Sequence, residues 1–422
     1  MSKISQALVL AAGESSRFWP LAVNKHKAMY EILGKPILQY TIDALHRVGL
    51  KDLIIVIGPK DTTIRQYFGS GKKFGVRIRY VIQRDAEKTG QAGAIRVAKP
   101  ALNEQFVVVN AGNFSCGVAL RRMLHTPTKG IVLAATKTNT PQLYGVFKFQ
   151  KGKPIGLIEK PKRPSGDQRI IGVYIFNKSF AQSLTKYRSH YGLEAALHQW
   201  LRKKMPARVV RLARYPEFPL KYPWHLFAID RYFMEKIPKH RGKNVQVHST
   251  ARLTGNIWLE DRVRVLEYAV IHGPAYIGRG STIGTHSLIR NSTSIGRNVH
   301  TGYHSEIKAS ILFDDIKLHS CFVGDSILDS GCRFGAGTVT ANRRIDRKSV
   351  KTAVKGAMVD TQASFFGTIC GSNVRTGVGV ALMPGVKIGM QTNIGPQTTL
   401  FEDVPAYYTT YAKFVRVIRK RR

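Results

Sequence analysis

The chain has no apolar run near the eighteen residues needed to cross a bilayer, so no membrane span is expected. It has four cysteines, Cys116, Cys321, Cys332 and Cys370, and no CxxC spacing. That excludes a disulfide framework and a cysteine zinc site, and leaves buried thiols as the reading. The opening segment, MSKISQALVLAAGESSR, lacks the long apolar stretch of a secretory signal and runs into a strand-like segment, so a cytoplasmic location is expected. Acids are the scarcest resource. Against 66 Lys and Arg stand 26 Asp and Glu, a formal net charge of +40. Such a balance suits a partner or substrate rich in negative charge, either nucleic acid or nucleotides. No helix-turn-helix, RRM or zinc-finger pattern occurs, and the cations spread along the chain, which favours nucleotide substrates without excluding nucleic acid. The one dense basic run is the tail Val415 to Arg422, VRVIRKRR, a weak contact point for RNA or anionic lipid.

A length of 422 residues predicts two or three domains. In the first half, buried-strand runs (Ala7–Leu10, Leu53–Ile57, Phe106–Val109) and an alternating run (Val76–Ile82) are interspersed with helical spacing, as in Leu38–Val48. This pattern predicts an α/β domain, a mostly parallel sheet with helices on both faces. From Val247 an aliphatic residue recurs every six positions: Leu253, Leu259, Val265, Ile271, Ile277 and onward to Ile295. The register slips near Thr301, resumes as Ile316, Phe322, Leu328 and Phe334, and returns as Leu382, Ile388, Ile394 and Leu400. A six-residue period is the mark of a parallel β-helix, each hexapeptide one face of a triangular coil. The expected domains are 1–238 and 239–422, joined near Tyr222–Lys243, with 341–365 as a protruding loop.

The loop Ala11-Ala12-Gly13-Glu14-Ser15-Ser16-Arg17 follows the first strand, where a small-residue turn lets backbone N–H groups approach a phosphate. The phrase LVLAAGESSRFWPL, with Lys27 and Gly34-Lys35-Pro36 after it, resembles the opening of the sugar-1-phosphate nucleotidyltransferases. Further matches follow in order: Gln83, Gly90-Gln91-Ala92, Glu159-Lys160-Pro161 and Gly172-Val173-Tyr174-Ile175-Phe176. The resemblance implies a Rossmann-like domain binding a nucleoside triphosphate and a sugar 1-phosphate. Arg17 and Lys27 would neutralise phosphate charge at an in-line displacement. Ala11, Ala12, Gly13, Gln83, Gly90 and Gln91 would hold the nucleotide, and Glu159 and Gly172 the sugar. That family holds Mg²⁺ with two acids. Asn113 and His225 stand near those positions here, the first element reading Asn110-Ala111-Gly112-Asn113 with no acid, so the metal ligands are unknown and Mg²⁺ is doubtful as a cofactor. Ser15 replaces a glycine and His26 a proline of the family pattern, and Asp85 and Glu87 are the nearest acids to the nucleotide elements.

The second half carries Lys317-Leu318-His319-Ser320-Cys321-Phe322-Val323-Gly324-Asp325 and, sixteen residues beyond His319, Gly335-Ala336-Gly337-Thr338 followed by Asn342. These spacings resemble the acetyltransferase half of the bifunctional GlmU proteins, and Val354-Lys355-Gly356 and Met383-Pro384-Gly385-Val386 resemble its archaeal-type relatives. The resemblance implies a left-handed β-helix, acetyl-CoA as co-substrate, and a homotrimer with sites between neighbouring coils. His319 would be the base that deprotonates a sugar amine, Asn342 would contact the sugar and Lys348 its phosphate. Phe322 replaces a tyrosine of the family. The leading expectation is a two-headed transferase of UDP-N-acetylglucosamine-like nucleotide-sugar synthesis, with nucleotidyl transfer weakened or lost. The alternative is a non-catalytic nucleotide-sensing scaffold resembling translation-initiation exchange-factor subunits.

Overall fold

The computed structural model describes residues 4–23, 25–163, 166–216 and 218–414, so the basic tail Val415–Arg422 lies outside the described residues. The chain divides into two compact units. The first comprises Met1–Ser15, Asn24–Tyr30 and Lys35–Pro219, and the second Ser16–Val23, Glu31–Gly34 and Leu220–Arg422. The second unit therefore opens ahead of residue 239 and takes with it the helix His225–Met234 and two short segments from the N-terminal region.

The first unit is built on one mixed sheet. Its strands are β1 (Gln6–Ala11), β2 (Asp52–Ile57), β3 (Arg77–Ile82), β4 (Gln105–Asn110), β5 (Ile131–Lys137), β6 (Gly145–Gln150), β7 (Lys153–Glu159), β8 (Gln168–Asn177) and β9 (Ala207–Leu212). They lie in the order β9-β5-β8-β4-β1-β2-β3, with the β6–β7 hairpin attached to β8. Strand β1 is parallel to both β2 and β4, and its middle residues are fully buried, which is why QALVLA, DLIIVI and QFVVVN read as unbroken apolar runs. Strand β8 runs antiparallel to β4 and β5. The glycine loop issues from the carboxyl end of β1 and the Asn113 loop from that of β4, where ligands gather in α/β sheets.

The second unit is a β-helix of short parallel strands on three faces. Its inward side chains stack in columns, such as Ile271–Ile289–Ile307–Val323 on one face and Ile277–Ile295–Leu312–Leu328 on another. Nearly all are fully buried, and each contributes about 1.5–3 kcal/mol of apolar transfer. One corner places a residue at positive φ in coil after coil: Arg262, Gly280, Asn298, Asp315, Gly331 and Asn373. Left-handed backbone favours Gly, Asn and Asp, which accounts for the small and polar residues punctuating the repeat.

The slip near Thr301 has a structural cause. Coils before it repeat every 18 residues (Leu288 beside Glu306), those just after it every 16 or 17 (Glu306 beside Phe322, Phe322 beside Val339), and the last ones every 18 again (Ile369 beside Lys387). Thr301 itself is fully buried and accepts the Gly284 N–H through its hydroxyl. The expected register is corrected here: Val323, not Phe322, is the inward residue, and the Phe322 ring lies outside. Two residues fewer per coil bring Val323 beneath Ile307, so a fixed six-residue count points one position astray. Residues 341–365 leave the coil as expected and form an antiparallel hairpin, Lys351–Val354 with Ala357–Asp360.

Helix His225–Met234 carries a buried acid, Asp230. Its Oδ1 has no partner, and burial pushes its pKa up to about 8 despite the Ser294 hydroxyl and the Arg231 charge. The folded state therefore prefers the protonated acid. Its contribution is fully present below the unfolded pKa of 3.8 and is lost as pH rises toward 8. Replacing Asp230 by Asn should leave stability at pH 3 little changed and raise it by a few kcal/mol at pH 8 in chemical denaturation, because the amide has no charge to bury. Equal pH dependence in the two proteins would show that the carboxyl is not desolvated.

Candidate functional site

In the first unit, Ala11 and Ala12 are buried and Gly13 is exposed at the open end of β1. A side chain added at Gly13 would meet nothing within 4 Å, so its smallness leaves space for a ligand. Ser15 adopts a positive φ of 56°, a left-handed conformation that glycine takes without strain, and its hydroxyl accepts the Lys27 N–H at 3.3 Å. His26 caps the turn Lys27–Met29 by accepting the Ala28 N–H on Nδ1. Desolvation, then the Lys27 charge, lowers its pKa to about 3, so the ring is neutral and free to accept. Arg17 is exposed on the short turn Ser16–Phe18, which groups with the second unit, whereas Lys27 groups with the first.

Gln83 is buried, and its Nε2 donates to Thr89 Oγ1 and to the Gly90 carbonyl at 2.9 Å. It thereby fixes a break inside the helix Ala86–Ala98, where Gly90 has φ 51° and ψ −142°. A Cβ there would lie 2.3 Å from the His190 carbonyl oxygen, so the position requires glycine. The next residue, Gln91, has a buried Oε1 with no partner, an acceptor left for a donor such as a nucleobase amine. Asp85 accepts from Thr89 Oγ1, and Glu87 is exposed.

Glu159 and Glu194 border a cavity of ≈ 400 Å³ with Tyr187, Tyr191 and His198. Desolvation raises the pKa of both acids, and for Glu194 the charge of Glu159 adds to it. Gly172 lies in β8, and a side chain there would press on Asn110 Nδ2 at 3.0 Å.

Asn113 is a hydrogen-bond hub. Its Nδ2 donates to the Gly172 carbonyl at 3.3 Å, and its Oδ1 accepts from the Tyr215 hydroxyl at 2.6 Å and from Ser115. Both ends of the amide are spent within the first unit. In the second unit, His225 Nδ1 accepts from the N–H groups of Lys221 and Tyr222. A nitrogen accepting two backbone protons is not placed to bind a cation. Among the described residues no three His, Cys, Asp or Glu side chains could share a metal ion. Neither position fits Mg²⁺, which demands hard oxygen ligands.

The second unit assembles a different constellation. His319 is exposed just before the strand Phe322–Gly324, and its ring makes no hydrogen bond among the described residues. Within the next coils, Lys308 Nζ and Asn342 Nδ2 both reach Asp325 Oδ2 at 2.6 Å. Lys308 and Asp325 are largely buried, with side chains 13% and 15% exposed, so each needs the other. Gly324 lies against Asn342 Nδ2 and the Phe322 ring, where a Cβ would be 2.7 and 2.8 Å away. Phe365, from the protruding segment, takes Lys308 and Arg343 onto its ring face at 4.4 and 4.7 Å. Lys348 is exposed on that segment, its N–H donating to Asp346. Lys308 carries no motif of its own in the sequence, whereas Asp325 closes the segment that begins at Lys317 and contains His319. Each network partner is nevertheless 17 residues from the next, so the coil period is the signal that finds them.

A glycine-loop α/β unit followed by a β-helix that carries both an exposed histidine and a lysine–aspartate–asparagine network is the frame of a two-headed transferase. A nucleotidyl transferase family model matches residues 6–214. Over nearly full length the chain is 32% identical to the bifunctional protein GlmU of Methanococcus maripaludis strain C5, covering 99% of each chain. It is 30% identical to that of Methanococcus vannielii, with 98% of this chain and 99% of the other covered. A bifunctional sugar-1-phosphate nucleotidylyltransferase/acetyltransferase of Sulfurisphaera tokodaii is 28% identical over 98% of this chain and 100% of its own. The chain belongs to the bifunctional GlmU family and is a transferase. No helix of the described residues is long and apolar enough to cross a membrane.

Substituting Asn113 by Asp tests how the first site is locked. The new carboxylate oxygen would face the Gly172 carbonyl, so chemical denaturation in chelator should show a loss of about 1–3 kcal/mol. Unchanged stability would mean that the amide is not held as described.

Proposed function

We propose that the catalytic weight of this transferase lies in its second unit, which acetylates the amine of an amino-sugar phosphate from acetyl-CoA. The first unit binds a nucleoside triphosphate and a sugar 1-phosphate and transfers nucleotidyl groups slowly or not at all. The observation that carries the reading is a contrast. Asn113 and His225 are consumed by internal hydrogen bonds, while the His319 ring stands exposed, with no hydrogen-bond partner among the described residues.

In the acetyl step the amine attacks the thioester carbonyl, a C–N bond forms and the C–S bond breaks. The amine proton passes to His319 and from there to the departing sulfur of CoA. Backbone N–H groups along the coil steady the thioester oxygen. Asn342 orients the sugar, held in place by Asp325, and Lys348 meets its phosphate. Lys308 and Asn342 both donate to the same Asp325 oxygen, which fixes that carboxylate against Asn342. Phe322 offers an apolar ring where a hydroxyl would otherwise contact the sugar. In the first unit Ala11, Ala12, Gly13, Gln83, Gly90 and Gln91 receive the nucleotide, Glu159 and Gly172 the sugar, and Lys27 the phosphates; Arg17, the other phosphate candidate, groups with the second unit. Mg²⁺ would supply charge neutralisation at the α-phosphorus, but the residues at its usual positions do not fit it. The product is a UDP-N-acetylglucosamine-like nucleotide sugar or its acetylated precursor, made in the cytoplasm by a homotrimer.

His319→Ala should lower kcat for acetyl transfer by about 10²–10⁴-fold with KM for the sugar phosphate changed little; an unchanged kcat would remove His319 from the chemistry. With Mg²⁺ present, nucleotidyl transfer by the wild type should run about 10²-fold or more below that of the Methanococcus maripaludis relative, the penalty of missing charge stabilisation. Comparable turnover would show that the first unit recruits another acid.

A further inference from the structure

One face of the β-helix carries its outward side chains in a column. Backbone pairing sets Arg264, Thr282, His300, Lys317, Arg333 and Arg375 on successive rungs, and Asn393 and Thr409 continue it. Rungs about 4.8 Å apart give roughly 24 Å from Arg264 to Arg375. The hairpin segment 341–365 does not interrupt the column, because it leaves from another corner, after the strand Val339–Thr340.

None of these outward positions is an acid. Arg264, Lys317, Arg333 and Arg375 are exposed, and none has a carboxylate partner among the described residues. Acids at the adjoining corner are engaged elsewhere: Asp261 with the Lys243 N–H, Asp315 with Asn298 and Asp329 with the Ser330 N–H. The field is felt at His300, whose pKa is lowered by desolvation and then by Lys317 and Arg264. The last rung, Thr409–Thr410, is flanked by Tyr408 and Tyr411, 60% and 65% exposed.

We propose that this face binds single-stranded nucleic acid, its phosphates along the cation column and its bases against Tyr408 and Tyr411. A line of uncompensated cations suits a linear polyanion, and exposed aromatic faces accept any base. A second copy of this chain offers few acids to pair with the column, having 26 Asp and Glu against 66 Lys and Arg, whereas a polynucleotide offers a negative charge at every residue. An anionic bilayer presents a plane of charge and gains nothing from a one-rung-wide column.

The test uses the full chain, tail intact, and fluorescence anisotropy with an oligouridylate of about twenty nucleotides over about 50–200 mM salt. A K317Q/R333Q/R375Q variant should bind about tenfold or more weakly. Its slope of log affinity against log salt should be shallower by about 2, at roughly 0.7 for each phosphate no longer neutralised. Tyr408→Ala with Tyr411→Ala should weaken binding about tenfold or more with the slope unchanged. Circular dichroism should match the wild type in both, as all five positions are exposed. Three results would overturn the proposal: wild-type affinity in both variants, binding to phosphatidylserine vesicles but not to the oligonucleotide, or displacement of the oligonucleotide by equimolar acetyl-CoA.

Discussion

Stacking of each β-helix coil on the next is the constraint from which most of the second unit follows. Inward aliphatic columns fix the register, because a slip of one residue would turn every core side chain outward. With the register fixed, residues one coil apart become neighbours whatever their chemistry. Lys308, Asp325 and Asn342 meet at 2.6 Å because they stand 17 residues apart. The cation column forms for the same reason. Both the proposed acetylation site and the proposed anion-binding face thus follow from the repeat, supplied with particular side chains at outward positions.

The first unit shows the opposite economy. Its sheet and glycine loop retain the form of a nucleotide site, and Gln83, Gly90 and Gln91 retain their local geometry. The two residues proposed to stand near the metal-acid positions are held by bonds internal to the fold. Asn113 ties its own loop to β8 and to Tyr215. His225 ties down the turn before its helix. Neutral groups that satisfy backbone partners give up the charge that an in-line phosphoryl displacement needs.

Much of this is legible in the order of amino acids alone. The buried-strand runs and the six-residue period point to both fold classes, and the phosphate loop, His319 and Asn342 stand out by spacing. The rest depends on information a linear reading does not hold. Coils shorten from 18 to 16 or 17 residues just after Thr301, so a fixed count marks Phe322 as a core residue although it faces outward. Tyr215 reaches Asn113 across 102 residues, a pairing set by the sheet and invisible in local pattern. Segments 16–23 and 31–34 group with the second unit although they flank the loop that defines the first. The charge looks evenly spread along the chain because one column of the coil collects residues 16 to 42 apart in sequence.

The most direct test of the division of labour is to assay both half-reactions on one preparation, in excess EDTA, with an amino-sugar phosphate and acetyl-CoA in one tube and a nucleoside triphosphate with an N-acetylated sugar 1-phosphate in the other. Acetyl transfer that proceeds unimpaired by chelation, beside nucleotidyl transfer that stays low even when Mg²⁺ is restored, is the expected result. Robust Mg²⁺-dependent nucleotidyl transfer with no acetyl transfer would contradict it.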